Sequence, residues 1–262
     1  MILKRNLKMP KVKDIYDYID SLAPFANQCE WDNSGIAVGN PEGEVTKIVF
    51  ALDITNDVVD YAREVGAELA VSHHPVIFRA RKSVLSNDPV YALVNAGISA
   101  ICAHTSLDIA DGGINDALTE KLGFGKCAPL TSSGEASMVR VYEFSEERSP
   151  EDVAAFVAEK LGAAVRYSDC GKPVRKVALC GGAGCDFLPD VISAGCDMLI
   201  TGDASHHDFL DAANDGVCVT AAGHYETENP VMEVLAAKIK EKFDVETYIA
   251  PSSSPCQTVV WI

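Results

Sequence analysis

The chain has 262 residues, of which 48% are apolar, and its formal net charge at pH 7 is −16. Acidic residues outnumber basic ones 38 to 22, which excludes a general DNA- or RNA-binding protein, because such proteins need clustered lysine and arginine. The length allows one large domain or two of about 130 residues, and no apolar run approaches the ~18 residues that span a bilayer. The basic N-terminus lacks the apolar segment of a signal peptide, so we expect a cytoplasmic protein.

The first clear pattern in the chain is a strand–helix–strand unit at residues 47–72. Its sequence, KIVFALDITNDVVDYAREVGAELAVS, predicts a short strand, a turn, a helix that ends at Gly66, and a second apolar strand. After it come, in order, the motif SHHPVIF (72–78), a helix that begins at Asp88 and Pro89, an apolar strand at 99–103, and the motif HTSLD (104–108).

A second copy of this unit lies at residues 176–201, which align with 47–72 without a gap at an offset of 129. Lys47 corresponds to Lys176, and Gly66 corresponds to Gly195. The segments that follow also correspond: the pair His206 and His207, a helical stretch to about Asn214, the strand VCVTA (217–221), and the motif HYETE (224–228). Strands that alternate with helices predict parallel sheets.

The remaining segments complete two halves of similar size. They are a polar linker TSSGEAS (131–137), a strand RVYEF (140–144), a helix that begins at Ser149 and Pro150, a helix after Asn229 and Pro230, and two last strands, VETYIA (245–250) and QTVVWI (257–262). We therefore expect an α/β protein with two similar domains, 1–130 and 131–262, and largely parallel sheets. The sequence leaves open whether the chain returns to the first domain at its C-terminus.

All six histidines lie in four short motifs, and each motif follows a predicted strand. Each half has a His-His pair and a histidine followed four positions later by a carboxylate: His73 and His74, His104 with Asp108, His206 and His207, and His224 with Glu228. Ligands of parallel sheets collect beyond the carboxyl ends of the strands. We expect HTSLD and HYETE to precede helices rather than to lie within them.

Mixed imidazole and carboxylate side chains favour divalent metal binding over a purely structural role for these histidines. Such donors suit Zn, Mn, Fe or Co, and five or six of them exceed the needs of one tetrahedral ion, which indicates two. The motifs contain no cysteine, so an open site with chemistry is favoured over a closed structural zinc site. Cys180 and Cys185 form a C-x4-C pair, but without a second pair this is weak evidence. Cys102, Cys180 and Cys218 lie in strand-like runs, where a thiol acts as a small hydrophobe.

Two further segments are candidates for phosphate binding. The loop CGGAG (180–184), between a strand and a helix, either cradles a phosphate through backbone N–H groups or is a tight turn. Arg79, Arg81 and Lys82 either bind a phosphate or are solvated surface residues. Bound metal ions would offset the acidic charge for an anionic small-molecule substrate.

Five motifs, taken in order, resemble one family. They are WDNSGIAVG (31–39), SHHPVIF (72–78), AHTSLD (103–108), TGDASHHD (201–208) and GHYETE (223–228). They resemble the NGG-interacting-factor-three-like family, whose bacterial members carry the name GTP cyclohydrolase 1 type 2. The resemblance runs from about residue 10 to the C-terminus. One departure is SSGEASMVRVYEF, which stands where many members have a G-x-G-R-x-G-like segment.

The resemblance implies a toroidal homohexamer with two divalent metal ions per subunit, in the cleft between the two domains. The ligands that it implies are His73, His74, Asp108, His224 and Glu228, with Glu228 as the bridging carboxylate. It implies that His104 lies behind the ligands. It matches His207 to a family histidine, whereas His206 stands where an aromatic residue is common.

The leading functional hypothesis is a dinuclear metal-dependent hydrolase of a nucleotide or phosphorylated small molecule, similar to GTP cyclohydrolase 1 type 2 by resemblance. Phosphoesterase action is equally compatible with such a site. His104 is the candidate catalytic residue for proton transfer, and orientation of a ligand is its alternative role. The alternative for the whole protein is a metal-binding scaffold, or a metal-delivery or interaction protein, without turnover of its own.

Overall fold

The computed structural model describes residues 9–131 and 137–257, which form two compact units. The first unit comprises the chain up to Leu107 together with the later segment Met232–Ser252. The second unit includes Asp108–Val231. The sequence-based boundary at 130/131 falls inside this second unit. Most of the predicted linker TSSGEAS and of the predicted strand QTVVWI lies outside the described residues. None of the helices in the described ranges is long and apolar enough to cross a membrane.

The described ranges contain ten α-helices, several of which begin and end at the predicted signals. Asp88 accepts a hydrogen bond from the Val90 N–H at one helix start, and Ser149 caps another. The helices are α1 Val12–Leu22, α2 Asn56–Val65, α3 Pro89–Ala96, α4 Thr105–Ile109, α5 Ile114–Leu122, α6 Pro150–Leu161, α7 Leu188–Ser193, α8 His206–Asn214, α9 His224–Glu228 and α10 Pro230–Lys242.

The eleven strands of the same ranges form two sheets. They are β1 Gly35–Val38, β2 Lys47–Ala51, β3 Leu69–Ser72, β4 Ser99–Cys102, β5 Ala128–Pro129, β6 Arg140–Arg148, β7 Arg166–Tyr167, β8 Val174–Cys180, β9 Met198–Thr201, β10 Cys218–Ala221 and β11 Glu246–Ile249. The predicted strand RVYEF is part of β6, which continues to Arg148.

The first unit is built on a five-stranded sheet with the order β1-β4-β3-β2-β11. The last four strands in this order are mutually parallel, and β1 pairs antiparallel with β4. Every residue of β3 and β4 is buried, as is usual for parallel strands that are covered on both faces. On one face, Val58 and Ala62 of α2 and Leu93 of α3 pack against the sheet in an apolar core.

The second unit is built on a six-stranded sheet with the order β5-β6-β8-β9-β10-β7. Strands β8, β9 and β10 are parallel, and the outer pairs are antiparallel. Leu118 of α5 and Val157 of α6 belong to the core on one face, and Val191 of α7 and Ala212 of α8 belong to the core on the other. The α/β class is confirmed, with parallel strands in all of the first sheet except β1 and at the centre of the second sheet.

The internal repeat is preserved in strand register and in side-chain contacts. Ile48 pairs with Leu69 across β2 and β3, and Val177 pairs with Met198 across β8 and β9, at the same offset of 129. At the start of each copy a carboxylate accepts the backbone N–H of the equivalent lysine: Glu68 from Lys47 at 2.9 Å, and Asp197 from Lys176 at 2.8 Å. The repeat in the sequence is therefore also a repeat in the structure.

Candidate metal centre

The adjacent histidines His73 and His74 stand at the carboxyl end of β3, where the strand stops at Ser72. The ring of His73 is buried, and its Nδ1–H donates to the Ala103 carbonyl oxygen at 2.8 Å. Because a carbonyl oxygen only accepts, the proton lies on Nδ1, and Nε2 carries the lone pair. This is the tautomer that binds a metal ion through Nε2.

His74 and His104 are oriented by carboxylates. His74 Nδ1 lies 2.7 Å from Asp53 Oδ1, and His104 Nδ1 lies 2.9 Å from Asp32 Oδ1. One ring nitrogen from each of His73, His74 and His104 lies within 4.8 Å of the other two, so the three rings form a group that could hold a metal ion. The structure thus brings together three of the predicted site residues in the first unit.

The carboxylate of Asp32 holds the ring of His104 in place. Burial by itself would raise the pKa of this carboxyl group, but hydrogen bonds from His104 and Thr105 outweigh it and hold the pKa well below its ordinary range. The other carboxylate oxygen, Oδ2, accepts the Thr105 N–H at 3.0 Å and the Thr105 hydroxyl at 2.5 Å. A buried carboxylate with this many donors stays ionised and fixes the ring of His104.

His224 and Glu228 form the corresponding pair of the second unit. His224 Nδ1 lies 2.7 Å from Asp203 Oδ2, and His224 Nε2 lies 3.0 Å from Glu228 Oε2. Both residues belong to α9, whose i, i+4 spacing places them on one face.

The prediction that HYETE and HTSLD precede helices is therefore wrong. HYETE is the helix α9 itself, and α4 begins at Thr105 and contains Asp108. Each of these helices has only five residues, which is too short to show an apolar period in the sequence.

Burial, together with the charges of Asp108 and Glu228, raises the pKa of the Cys180 thiol. Burial is the main reason that the pKa of Cys180 is raised above its ordinary range, and the charges of Asp108 and Glu228 add to it. Burial also raises the pKa of Cys185 to about 12. Both thiols are therefore protonated in the metal-free protein, and neither belongs to a metal-donor group found among the described residues.

The prediction that CGGAG cradles a phosphate is wrong for the three N–H groups whose hydrogen bonds are seen. They donate to side chains of the protein: Gly181 to Asn115 Oδ1 at 2.8 Å, Gly182 to Thr227 Oγ1 at 3.1 Å, and Gly184 to Thr201 Oγ1 at 2.9 Å. The alternative, a tight turn, holds. A Cβ on Gly182 would lie 2.0 Å from Glu228 Oε1, so glycine lets the loop approach this carboxylate closely.

The other candidate residues are not members of these donor groups. Arg81 pairs with Asp88 and donates to the Val76 carbonyl, whereas Arg79 and Lys82 are exposed. His206 and His207 belong to none of the metal-donor groups in the described ranges; they are exposed at the start of α8, with rings 5.5 Å apart.

Sequence reasoning gave no role to the three aspartates that orient the histidine rings. Asp53 and Asp203 each lie two residues beyond the end of a strand, β2 and β9 respectively, and Asp32 lies in the motif WDNSGIAVG. For Asp53 and Asp203 the available signal was a carboxylate just beyond the carboxyl end of a buried parallel strand, the same position that singled out the histidines; Asp32 precedes β1 and has no such signal.

Comparison with known proteins identifies relatives of this chain in sequence and in fold. Residues 10–255 match the family Duf34/NIF3 (NGG1p interacting factor 3). The chain is 35% identical over 244 residues to the "GTP cyclohydrolase 1 type 2 homolog" of Clostridium perfringens, with 89% of this chain and 93% of the relative covered. It is similar to a hypothetical protein of Staphylococcus aureus, with a TM-score of 0.89, 26% identity and coverage of 96% and 100%. A Bacillus cereus protein related to NIF3 has the same fold, with a TM-score of 0.86, 21% identity and coverage of 97% and 100%.

Proposed function

Because the chain belongs to the Duf34/NIF3 (NGG1p interacting factor 3) family, we propose that it is a divalent-metal-dependent hydrolase of a nucleotide or similar phosphorylated small molecule. The chemistry of its histidines and carboxylates supports this function. They are the donors that Zn, Mn, Fe and Co share, and the donor groups found among the described residues contain no cysteine.

The proposed ligands of two divalent ions are His73, His74, Asp108, His224 and Glu228, with Glu228 as the bridging carboxylate. The observation that carries this assignment is the hydrogen bonding of the three histidine rings through Nδ1, to a carbonyl or a carboxylate in each case. Nδ1 bonding of this kind presents Nε2 to a metal and raises the basicity of the ligand.

The chemistry that such ions supply is Lewis acidity, which lowers the pKa of a coordinated water toward about 7. The residues of the chain orient and move protons around this centre. We assign proton transfer to His104, because the Asp32 carboxylate accepts its Nδ1–H and this leaves Nε2 as the nitrogen that accepts a proton.

GTP is the first substrate to test, since relatives carry the name "GTP cyclohydrolase 1 type 2 homolog". Phosphoesters are the second class, because a dinuclear site serves both reactions. In either case the metal charge would offset the net charge of −16 of the chain for an anionic substrate.

Metal content per chain tests the proposal directly. We expect close to two ions in untagged wild-type protein by mass spectrometry, and markedly fewer in a His74→Ala, Glu228→Ala double variant. The matched control is His206→Ala, His207→Ala, which removes an adjacent but exposed histidine pair and leaves the content unchanged. Little metal in the wild type, with no uptake of added Mn, Zn or Fe, would contradict the dinuclear site.

Turnover tests the catalytic part. Wild-type protein that is reloaded with Mn, Zn, Fe or Co is assayed against GTP and generic phosphoesters, beside Glu228→Gln. We expect activity with at least one metal and its loss in the variant, because the amide cannot act as a charged bridging ligand. Absence of turnover with every metal would leave the scaffold or metal-delivery role in its place.

We also propose, from the family resemblance, that the chain self-associates as a homohexamer. Each chain has a mass of 28.0 kDa, so the expected assembly is six times heavier. Light scattering coupled to gel filtration measures this mass, and a monomeric or dimeric mass at micromolar concentration would contradict the assembly.

A further inference from the structure

Two large aromatic side chains stand exposed beside the donor histidines of the first unit. Trp31 is 60% exposed and Phe78 is 42% exposed, and their ring centroids are 5.8 Å apart in an edge-on arrangement. Both rings also contact His104 edge-on, at 5.9 Å and 6.0 Å. His104 in turn lies 5.0 Å from the ring of His73. A continuous set of rings therefore leads from the metal donors to an exposed aromatic surface.

The loops that carry these two aromatics are held in place by hydrogen bonds. The neighbour of Trp31 in the chain is Asp32, whose buried carboxylate binds His104 and Thr105. Asn33 Nδ2 donates to the Ile77 carbonyl oxygen at 2.6 Å, which ties the loop of Trp31 to the loop of Phe78. The aromatic pair is thus fixed relative to the donor histidines rather than exposed on a loose segment.

Exposure of two fixed aromatic rings to water has a cost in free energy, and neighbouring exposed aromatics mark binding sites. We propose that Trp31 and Phe78 bind a planar heteroaromatic ring of the substrate by stacking, while the remainder of the substrate lies toward the donor histidines. This inference rests on the proposed function and defines its substrate class as a phosphorylated compound with a heteroaromatic base.

The small-molecule ring is favoured over a second protein copy as the occupant for two reasons. The rings of the pair touch His104, a member of the donor group, so the surface is continuous with the reactive site. Arg79, directly after Phe78, is exposed and supplies positive charge for a phosphorylated ligand in a chain that is acidic overall.

Tryptophan fluorescence tests this site without any assay of turnover. Trp31 and Trp261 are the two tryptophans of the sequence, so a Trp261→Phe variant of the full chain reports Trp31 alone. The probe is guanosine 5′-monophosphate, with the other three nucleoside monophosphates as further probes and ribose 5-phosphate as the ligand that lacks a base. We expect saturable quenching by at least one nucleotide and none by ribose 5-phosphate.

Calorimetry of the nucleotide that binds gives the contribution of each ring. We expect Phe78→Leu and Trp31→Ala to weaken its binding about 5- to 100-fold, the range for loss of a base-stacking aromatic side chain. Tyr91→Ala is the matched control, since Tyr91 is an exposed aromatic residue of the same unit on α3. This control should bind like the wild type.

Three results would overturn the inference: no saturable quenching by any of the four nucleotides, unchanged affinity in both ring variants, or equal binding of ribose 5-phosphate. A shift of Trp31 emission that follows protein concentration and ignores nucleotide would assign the surface to a second copy instead. The metal content of the same samples separates the two proposals. Full metal without ring-dependent binding refutes the stacking site alone, and ring-dependent binding without metal refutes the metal-dependent hydrolase alone.

Discussion

The four histidines of the candidate centre share one feature: each ring is held at Nδ1 by an acceptor. Three of the acceptors are carboxylates, those of Asp53, Asp32 and Asp203, and the fourth is the Ala103 carbonyl oxygen. The acceptor fixes both the tautomer and the rotation of the ring, so the Nε2 atom of each ring is oriented in the metal-free protein, for metal binding in the three proposed ligands and for proton transfer in His104. The orienting aspartates should therefore matter to metal affinity although they are not ligands.

Asp53→Asn and Asp203→Asn test this orientation one at a time. We expect each to lower the affinity for Zn or Mn about 10- to 100-fold, because the neutral amide permits the wrong tautomer and a rotated ring. Competition of the protein with a metal-binding dye measures the affinity. Asp60→Asn and Asp211→Asn make the same charge change at exposed positions and should leave it unchanged. Equal affinities in all four variants would show that the aspartates do not orient the ligands.

Gly182 and Gly195 allow a matched test of the close approach to Glu228. Both have a positive φ, 63° and 66°, but a Cβ at Gly182 meets Glu228 Oε1, whereas nothing lies within 4 Å of a Cβ at Gly195. We expect Gly182→Ala to displace the carboxylate and reduce metal content, and Gly195→Ala to cost only about 1–2 kcal/mol of stability with metal content retained. Metal content and thermal unfolding are measured on both. Equal metal content in the Gly182→Ala and Gly195→Ala variants would mean that the loop moves and leaves Glu228 in place.

The candidate ligands could be proposed from the sequence, since the histidine motifs stand next to predicted strand ends and match the family motifs. Which aspartate orients which histidine could not be proposed, because Asp53 contacts His74, and Asp32 contacts His104, only after separate strands have been placed in one sheet. Nothing local in the sequence encodes such a pairing.

The two strand–helix–strand copies show which contacts define the element. In each, the lysine at the first position of the copy donates its Nζ to a carbonyl near the helix end, Lys47 to Val65 at 3.0 Å and Lys176 to Ala194 at 2.6 Å. A carboxylate before the second strand accepts backbone N–H groups of the first. These contacts align the two strands at their start, and the hydrophobic register follows from them.

Glu68 makes this contact pH-dependent in the first copy. Burial alone would raise its pKa, but hydrogen bonds from the Thr46 and Lys47 backbone N–H groups lower it below the ordinary value of 4.5. A lowered pKa in the folded state means that the ionised form stabilises the fold above pH 4.5, and that this stability is lost as the pH falls through the folded-state pKa.

Glu68→Gln should therefore destabilise the protein by about 1 kcal/mol near pH 7, and the difference from wild type should shrink below pH 4.5. Denaturant unfolding at several pH values measures this difference. Glu64→Gln on the exposed side of α2 is the control and should follow the wild type throughout. A difference that stays constant down to pH 3 would assign the loss to packing rather than to the charge.

Helices and strands with a local sequence signal were predictable, whereas short strands that are defined by pairing with a distant strand were missed. Asp88 before Pro89 and Ser149 before Pro150 mark helix starts, because cap and proline chemistry is local. The antiparallel strands β1 and β7 have four and two residues, and their partners β4 and β10 lie far along the chain. Short edge strands of this kind carry too little pattern for their pairing to be read from sequence.

Each compact unit of the molecule has an apolar core of its own. The first contains fully buried residues from three parallel strands and two helices, including Val49, Ala62 and Leu93. The second has apolar clusters on both faces of its sheet, with Val177 and Met198 on one face and Val219 on the other. Domains with cores of this kind do not need a metal to fold, unlike small zinc-dependent domains.

Removal of metal therefore distinguishes the enzyme hypothesis from the hypothesis that the metal only supports the fold of the whole molecule. We expect chelator-treated protein to keep its far-ultraviolet circular dichroism and to melt cooperatively at a lower Tm, because a ligand that binds only the folded state stabilises it by about 2.7 kcal/mol at 100 times its Kd. Added Mn or Zn should restore the Tm, which should rise with the logarithm of the free metal concentration above the Kd. The His206→Ala, His207→Ala variant should show the same recovery, and the His74→Ala, Glu228→Ala variant should show none. Loss of secondary structure on chelation would instead mean that the fold depends on the metal. A metal site that serves catalysis alone changes the stability of the fold, but the apolar core folds without it.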